Sequence, residues 1–190
     1  MVTPLTFDRI REHLRSLEPA RITDPGAGQA AVALVLTPTV DDLEALFIRR
    51  AQHAGDPWSG HMALPGGRRD PEDADLFHTS VREAAEETGV QLRPGDLLGE
   101  LPDFTPRTPV LPQIVIRPFV FGLPARPAVK TSAEVAYYRW VPLTLLKDSA
   151  TTASVDIRGV ATDVSAFVLG DDIVWGLTER IIKPFIDLVS

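Results

Sequence analysis

Apolar residues occur along this chain in short runs, and most of these runs have the length and composition of buried β-strands. Residues 30–36 and 43–49 are two such runs, separated by a turn that contains Pro38, Asp41 and Asp42, so they predict neighbouring strands of a hairpin. Further runs predict strands at 97–101, 113–121 and 136–141, and a hairpin from 155–159 and 164–169.

Helical spacing of apolar residues marks the helices. Residues 6–17 carry Ile10, Leu14 and Leu17 on one face, residues 142–147 predict a short helix, and residues 175–189 predict a last helix that Pro184 kinks. Proline also interrupts the run at 113–121, where Pro118 predicts an edge strand or a bulge. Strands and helices that alternate in this way predict an α/β/α sandwich around a mixed β-sheet.

Composition narrows the class of protein. A chain of 190 residues with 44% hydrophobic residues is long enough to bury one good core, and no break in composition divides it. We therefore expect a single domain, residues 1–190, in which residues 1–29 form an N-terminal helix and a linker. The 52–64 stretch, with its polar residues and glycines, is predicted to lie outside the core.

The net charge and the absence of targeting signals indicate which partners and which cellular compartment to expect. The formal net charge of −7 argues against binding to nucleic acid or to an anionic membrane. No apolar run reaches the ~18 residues of a membrane span. The chain has no cysteine, and its N-terminus lacks the apolar core of a signal peptide. These features predict a cytoplasmic protein, and they are compatible with a homodimer.

Residues 66–90 combine a glycine loop with a helix that has one apolar and one acidic face. At 100° per residue, Glu83, Glu86 and Glu87 gather opposite the apolar side chains. Gly89 is predicted to end the helix, whereas Asp70 and Asp73 are equally suitable as its start.

Three glutamates at the C-terminal end of a helix are electrostatically unfavourable. The helix dipole and the repulsion between Glu83 and Glu87 together cost on the order of 1–3 kcal/mol, which Arg82 offsets only in part. A divalent cation bound by the carboxylates would offset it fully, and Mg²⁺ and Mn²⁺ prefer such oxygen ligands. The alternative is an ordinary solvated helix face, which is the commoner meaning of such a triplet on its own.

The spacing around the triplet resembles the Nudix box, G-x5-E-x7-R-E-U-x-E-E-x-G-U, where U is a bulky apolar residue. The residues that match it are Gly67, Arg82, Glu83, Glu86, Glu87, Gly89 and Val90. The chain departs from the box by one extra residue before Arg82 and by Asp73 in place of the first glutamate. Both departures are similar to the coenzyme A pyrophosphatase branch of the Nudix family, whose box begins P-G-G-x-x-D-x-x-D, as residues 65–73 do here.

The resemblance implies a Nudix fold and metal-dependent hydrolysis of a nucleoside diphosphate linked to another moiety, with Mg²⁺ or Mn²⁺ as cofactor. It implies Glu83, Glu86 and Glu87 as metal ligands, Arg82 as the residue that orients them, and Glu134 as an additional catalytic carboxylate. Which glutamate is the general base stays open. The expected substrate contacts are Arg49, Arg50, Gly66, Gly67 and Arg68.

The substrate is expected to be a small diphosphate, with coenzyme A or an acyl-CoA first. Residues 60–67 and the Trp-Gly-Leu-Thr run at 175–178 match motifs of the coenzyme A branch, but Asp56 stands where that branch has an arginine. ADP-ribose or a dinucleotide-type diphosphate is therefore the alternative substrate. The alternative to an enzyme is a non-catalytic binding module with a Nudix fold, and the three retained glutamates argue against it.

Overall fold

A computed structural model describes residues 5–52, 59–106, 113–157 and 159–189. Its helices are α1 (Phe7–Ser16), α2 (Leu76–Thr88), α3 (Leu143–Asp148) and α4 (Gly176–Val189), with a short 3-10 turn at Pro94–Asp96. Its strands are β1 (Gly28–Pro38), β2 (Leu43–Arg50), β3 (Met62–Ala63), β4 (Gly66–Arg68), β5 (Leu97–Glu100), β6 (Ile114–Gly122), β7 (Val135–Pro142), β8 (Ala150–Ile157), β9 (Val160–Leu169) and β10 (Asp172–Trp175).

The main sheet is mixed and is built around β1. Its order is β3-β2-β1-β6-β5, with β4 added to β1 and β7 added to β2. β1 runs parallel to β6 and antiparallel to β2, so the predicted hairpin of the first two strands is confirmed. β1 is central because it is apolar on both faces, with Ala33, Leu34, Val35 and Leu36 fully buried.

Helices cover both faces of this sheet. Side chains of one face, including Ala33, Val35 and Leu46, pack with those of α2. Side chains of the opposite face, including Leu34 and Phe47, pack with α1, α4 and the smaller sheet. The α/β/α sandwich around a mixed sheet is therefore confirmed.

The smaller sheet has the order β10-β9-β8. The sequence predicted the β8–β9 hairpin, but both strands are longer than predicted. It did not predict β10, whose last residue, Trp175, was assigned to the final helix. That helix begins one residue later, at Gly176, and continues through Pro184 to Val189.

Pro118 is not at the edge of the sheet, so the edge-strand alternative of that prediction is wrong. It lies in β6, between β1 and β5, opposite Val32 of the parallel strand. Its carbonyl accepts from Leu101 N–H at 3.0 Å, just beyond the end of β5 at Glu100. The N–H that proline lacks would point to the same side, where the β5 ladder has ended, so the sheet accommodates this residue at small cost.

The prediction that residues 52–64 lie outside the core is also wrong in its second half. Met62 is 2% exposed and Leu64 is 4% exposed, and both belong to the core on the α1 and α4 side. β3 places them there by pairing with β2. The departure at Asp56 lies outside the described residues. No helix in the described ranges is long and apolar enough to cross a membrane.

Candidate active site

The helix that carries the three glutamates begins later than either start predicted from the sequence. Its N-cap is Asp75, whose carboxylate accepts from His78 N–H at 2.9 Å. Asp70 and Asp73 instead shape the turn before it, where Asp70 N–H donates to Asp73 Oδ2 at 2.9 Å. The carboxylate of Asp73 also binds Arg82 through both oxygens.

The C-terminal end of α2 is capped by Gly89 and by the loop that precedes β7. Gly89 has φ 71°, as the sequence predicted for the residue that ends this helix. Lys130 N–H donates to Thr88 O at 2.8 Å, and Ser132 N–H donates to Glu87 O at 3.1 Å. These bonds satisfy carbonyls that have no partner within the helix and hold the loop against the acidic cluster.

Glu87 is buried rather than solvated. It is 4% exposed, and its Oε2 accepts from Gly66 N–H at 2.9 Å. Burial raises the pKa of Glu87 to about 7; the bond from Gly66 and the charge of Arg50 oppose this shift, while Glu83 and Glu134 add to it. A carboxyl group with such a pKa can hold or release a proton near neutral pH.

Gly67 makes room for the carboxylate of Glu83. A Cβ at Gly67 would lie 2.4 Å from Glu83 Oε1, so the carboxylate would have to move away from its present position. A Cβ at Gly66 would lie 2.4 Å from the carbonyl oxygen of Ala31 in β1. The two glycines are therefore required for close approach, and they form strand β4 rather than the predicted loop. Burial raises the pKa of Glu83, and the bond from Arg82 opposes this rise.

Arg82 connects the turn before α2 to the acidic face of the helix. Its Nε and Nη2 donate to the two oxygens of Asp73, both at 3.0 Å. Its Nη1 donates to Glu83 at 2.9 Å and to Glu86 at 3.0 Å, and Nη2 also donates to the carbonyl of Arg68 at 3.0 Å. The bonds from Arg82 lower the pKa of Asp73 well below its usual range, so this anchor is ionised at neutral pH.

An open cavity of about 380 Å³ lies between α2 and the loop before β7. It is lined by Glu83, Glu86, Glu87, Ser132, Ala133 and Glu134. The backbone of Glu134 is held on both sides, since its N–H donates to Ser132 Oγ at 3.3 Å and its carbonyl accepts from Ala51 N–H at 2.8 Å. The β2–β7 register shifts between Arg49 and Arg50, beside this cavity.

The predicted substrate contacts divide into two groups. Arg50 lies close enough to Glu87 for its charge to lower the pKa of that carboxyl. Arg49 instead faces the other side of the sheet, where it donates to Asp172 Oδ1 at 2.9 Å and lies over the ring of Tyr137. Arg68 is exposed in β4, and its carbonyl is the acceptor for Arg82.

Two residues near the site were not singled out in the sequence. Ser132 has a local signal, since a serine two residues before Glu134 can accept from its N–H in a turn. Asp172 has none, because its partners Arg49 and Arg139 are far away in the chain. Asp172 is 4% exposed and joins the small sheet to β2 and β7.

The chemistry of the cavity fits a divalent cation, although no ready-made cluster of ligands is found in the part of the chain that the structure describes. Glu83 and Glu87 lie on the same face of α2, and the charge of Glu83 helps to raise the pKa of Glu87. The hydrogen bonds described above use Oε1 of Glu83 and Oε2 of Glu87.

Comparison with known proteins places the chain in a family. The NUDIX domain model matches residues 28–161. The chain is 36% identical over 118 residues to an uncharacterised protein of Schizosaccharomyces pombe. The aligned region covers 58% of this chain but only 36% of that protein. The chain is 31% identical over 163 residues to the Nudix hydrolase NudL of Yersinia pestis, with 83% of this chain and 79% of that protein covered.

The fold is also similar to that of solved structures. A MutT/nudix family protein from Enterococcus faecalis superimposes with a TM-score of 0.62 at 19% identity, over 97% of this chain and 70% of that one. With the three glutamates of the box gathered around one cavity and the family model matching most of the sequence, the chain belongs to the Nudix family.

Proposed function

We propose that this protein uses Mg²⁺ or Mn²⁺ to hydrolyse the diphosphate of coenzyme A or of an acyl-CoA. The observation that supports the reaction type is the cavity in which Glu83, Glu87 and Glu134 face one another. Carboxylates placed so close together favour a cation between them, and a cation between carboxylates is the usual means of binding a diphosphate. The choice of coenzyme A rests on the motifs at residues 60–73 and 175–178.

The proposed reaction is attack of water on one phosphorus of the diphosphate. The bond from that phosphorus to the bridging oxygen breaks, and the products from coenzyme A are 3′,5′-ADP and a phosphopantetheine. Glu83, Glu86 and Glu87 would hold the metal, which would supply charge neutralisation at the phosphates and a lowered pKa for water. One of these glutamates, or Glu134, accepts the proton of the water.

The other residues bind and orient. Arg82, anchored by Asp73, holds Glu83 and Glu86 in place. Gly66 donates its N–H to Glu87, and Gly67 leaves room for Glu83. Arg50, on the cavity side of β2, contributes positive charge for a phosphate. Arg68 is proposed as a further phosphate contact because it is exposed in β4, whereas Arg49, bound to Asp172, is a weaker candidate.

ADP-ribose or a dinucleotide-type diphosphate remains the alternative substrate. The sequence observation that favours it is Asp56, an acidic residue where the coenzyme A branch carries an arginine. The absence of cysteine supports a cytoplasmic location as part of the same proposal. Nucleic acid is not proposed as a substrate, because the net charge is −7.

The test is hydrolysis of a panel of diphosphates by purified protein with Mg²⁺ or Mn²⁺. The panel contains coenzyme A, an acyl-CoA, ADP-ribose and a dinucleoside diphosphate, and the variants are Glu87→Gln and, as a matched control, Glu72→Gln. Glu72 is exposed in the turn before α2, so its change to glutamine leaves the cavity intact. We expect coenzyme A hydrolysis by wild type and Glu72→Gln, and a fall of about 10²-fold or more in Glu87→Gln.

The outcomes separate the reaction from the substrate. Equal activity of wild type and Glu87→Gln would refute the metal and base assignment. Activity on ADP-ribose without activity on coenzyme A would refute the substrate and leave the reaction type standing.

A further inference from the structure

The small sheet ends in a β-strand whose outer edge is open. β8 is last in the order β10-β9-β8, and within the described residues it pairs with β9 alone. Natural proteins protect such edges with lysine, proline or a bulge, because an unpaired strand recruits another strand. β8 has the sequence Ala-Thr-Thr-Ala-Ser-Val-Asp-Ile, in which Asp156 is the one charged residue, and its register with β9 is regular from Ala150 to Ile157.

The outer half of the β8–β9 hairpin has little to pack against. Most of its side chains are exposed or half-buried, whereas Phe167 and Leu169, at the other end of β9, belong to the core. A two-stranded ribbon is only marginally stable in water without a further strand or a helix on one face. One face of this ribbon is nevertheless mainly apolar, with Ala153, Val155, Ile157, Val160, Thr162 and Val164.

The hydrogen-bond pattern determines which residues of β8 face the open edge. Val168 N–H donates to Ser149 O at 3.1 Å, so these two residues form a hydrogen-bonded pair. Such pairs alternate with non-hydrogen-bonded pairs along an antiparallel ladder. The residues of β8 that direct their N–H and C=O groups outward are therefore Ala150, Thr152, Ser154 and Asp156.

We propose that β8 pairs antiparallel with β8 of a second copy of this chain, with the two-fold axis between the two Ala153 residues. In this register each outward residue meets an outward residue of the partner: Thr152 meets Ser154, and Ala150 meets Asp156. Ala153 lies opposite Ala153 of the second copy in a non-hydrogen-bonded pair. The Cα atoms of such a pair are about 4.5 Å apart, so a small side chain fits there.

Charge disfavours two alternative registers. Moving the axis to Thr152 would place Asp156 opposite Asp148 of the second copy, and moving it to Asp156 would place the two Asp156 carboxylates face to face. The register centred on Ala153 keeps the two Asp156 residues at opposite ends of the paired strands. It also engages every outward residue of β8, which registers centred further along the strand do not.

The pairing joins the small sheets of both copies into one continuous sheet of six strands.

Cysteine crosslinking tests the register, because the chain contains no cysteine of its own. Ala153→Cys places a thiol opposite its own copy at a spacing compatible with a disulfide, roughly 4.4–6.8 Å between Cα atoms. Val155→Cys is the matched control, since Val155 and its copy are separated by roughly 13 Å along the paired strands. We expect Ala153→Cys to form a covalent dimer under mild oxidation about 10-fold faster than Val155→Cys. Equal rates, or faster crosslinking of Val155→Cys, would overturn the register.

Sedimentation equilibrium tests the pairing itself. Wild type is expected to be a dimer, and Ser154→Pro a monomer, because proline removes an outward N–H and leaves the bonds between β8 and β9 intact. Ser154→Val, which keeps the N–H, is expected to stay dimeric. A monomeric wild type, or a dimeric Ser154→Pro, would overturn the proposal. If Ser154→Pro fails to fold, the crosslinking rates of the two cysteine variants decide.

Discussion

Glu87 shows a conflict between stability and function within one residue. Its carboxylate is buried beside two other acids, and a single N–H from Gly66 is its described hydrogen-bond donor. Burial favours the protonated form, so the pKa rises to about 7. The sequence placed Glu87 on the acidic face of the helix but did not show that this residue is buried, because periodicity shows which side chains share a face but not whether a distant loop covers that face.

The raised pKa predicts how the stability of the metal-free protein depends on pH. The folded state holds the proton of Glu87 more tightly than the unfolded chain does, so this stabilisation is complete below about pH 4.5 and is lost as the pH rises through about 7. The loss is on the order of 2–3 kcal/mol. Denaturant unfolding of Glu87→Gln should show a smaller decline between pH 5 and pH 8 than wild type. An identical decline in both proteins would contradict the raised pKa.

Replacing Gly67 with alanine is predicted to lower the activity without changing any charge in the site. In Gly67→Ala the new Cβ overlaps the Glu83 carboxylate and displaces it. A displacement of about 1 Å in a catalytic group costs on the order of 10²-fold in rate, so kcat/KM for the diphosphate substrate should fall by about that factor. Gly95→Ala is the control, because nothing lies within 4 Å of a Cβ there. Equal activity of the two variants would show that Gly67 does not position Glu83.

At the scale of elements, neighbouring residues at the start of α2 have different roles: some stabilise the helix and others position the residues of the site. Asp75 caps the helix, whereas Asp73, two residues earlier, anchors Arg82. The box signature identified Asp73 as the counterpart of its first glutamate. N-cap propensity, however, is the same for every aspartate, so it did not show which of the nearby aspartates caps the helix. The outcome depends on Arg82, which binds Asp73 from nine positions further along the chain.

This division predicts different effects for the two aspartates. Asp75→Ala should lower the free energy of unfolding by about 1 kcal/mol through loss of the cap, with kcat nearly unchanged. Asp73→Asn should lower kcat more strongly, because Arg82 loses its charged anchor and no longer fixes Glu83 and Glu86. Urea unfolding and steady-state kinetics of both variants check this. A larger kcat loss in Asp75→Ala than in Asp73→Asn would contradict the assignment.

At the scale of the whole molecule, local patterns predicted β1, β2, β5, β6 and β7 of the main sheet but not β3 and β4, and long-range contacts account for what they did not predict. The apolar runs at β1, β2 and β6 specify buried strands. β10 is short, and its first residue, Asp172, is held by arginines from other strands. Pairing with β9 and these ion pairs make β10 a strand, and neither is visible in its own sequence.

The site likewise depends on contacts across the fold. Its helix and glycines come from one stretch, but Glu134 reaches it through a loop that bonds to the end of α2 and to Ala51 after β2. The family resemblance indicated Glu134, and the structure brings it to the same cavity as Glu83, Glu86 and Glu87. Its role as a base remains a prediction.

The central claim, that these carboxylates bind the divalent cation that the hydrolysis requires, is tested most directly by titrating Mn²⁺ into the metal-free protein in a calorimeter near pH 7. Wild type and Glu72→Gln should bind Mn²⁺ with equal affinity and release protons on binding, because ligation deprotonates Glu87. Glu87→Gln should bind at least about 10-fold more weakly and lose most of the proton release. Equal affinity and equal proton release in all three proteins would contradict the account.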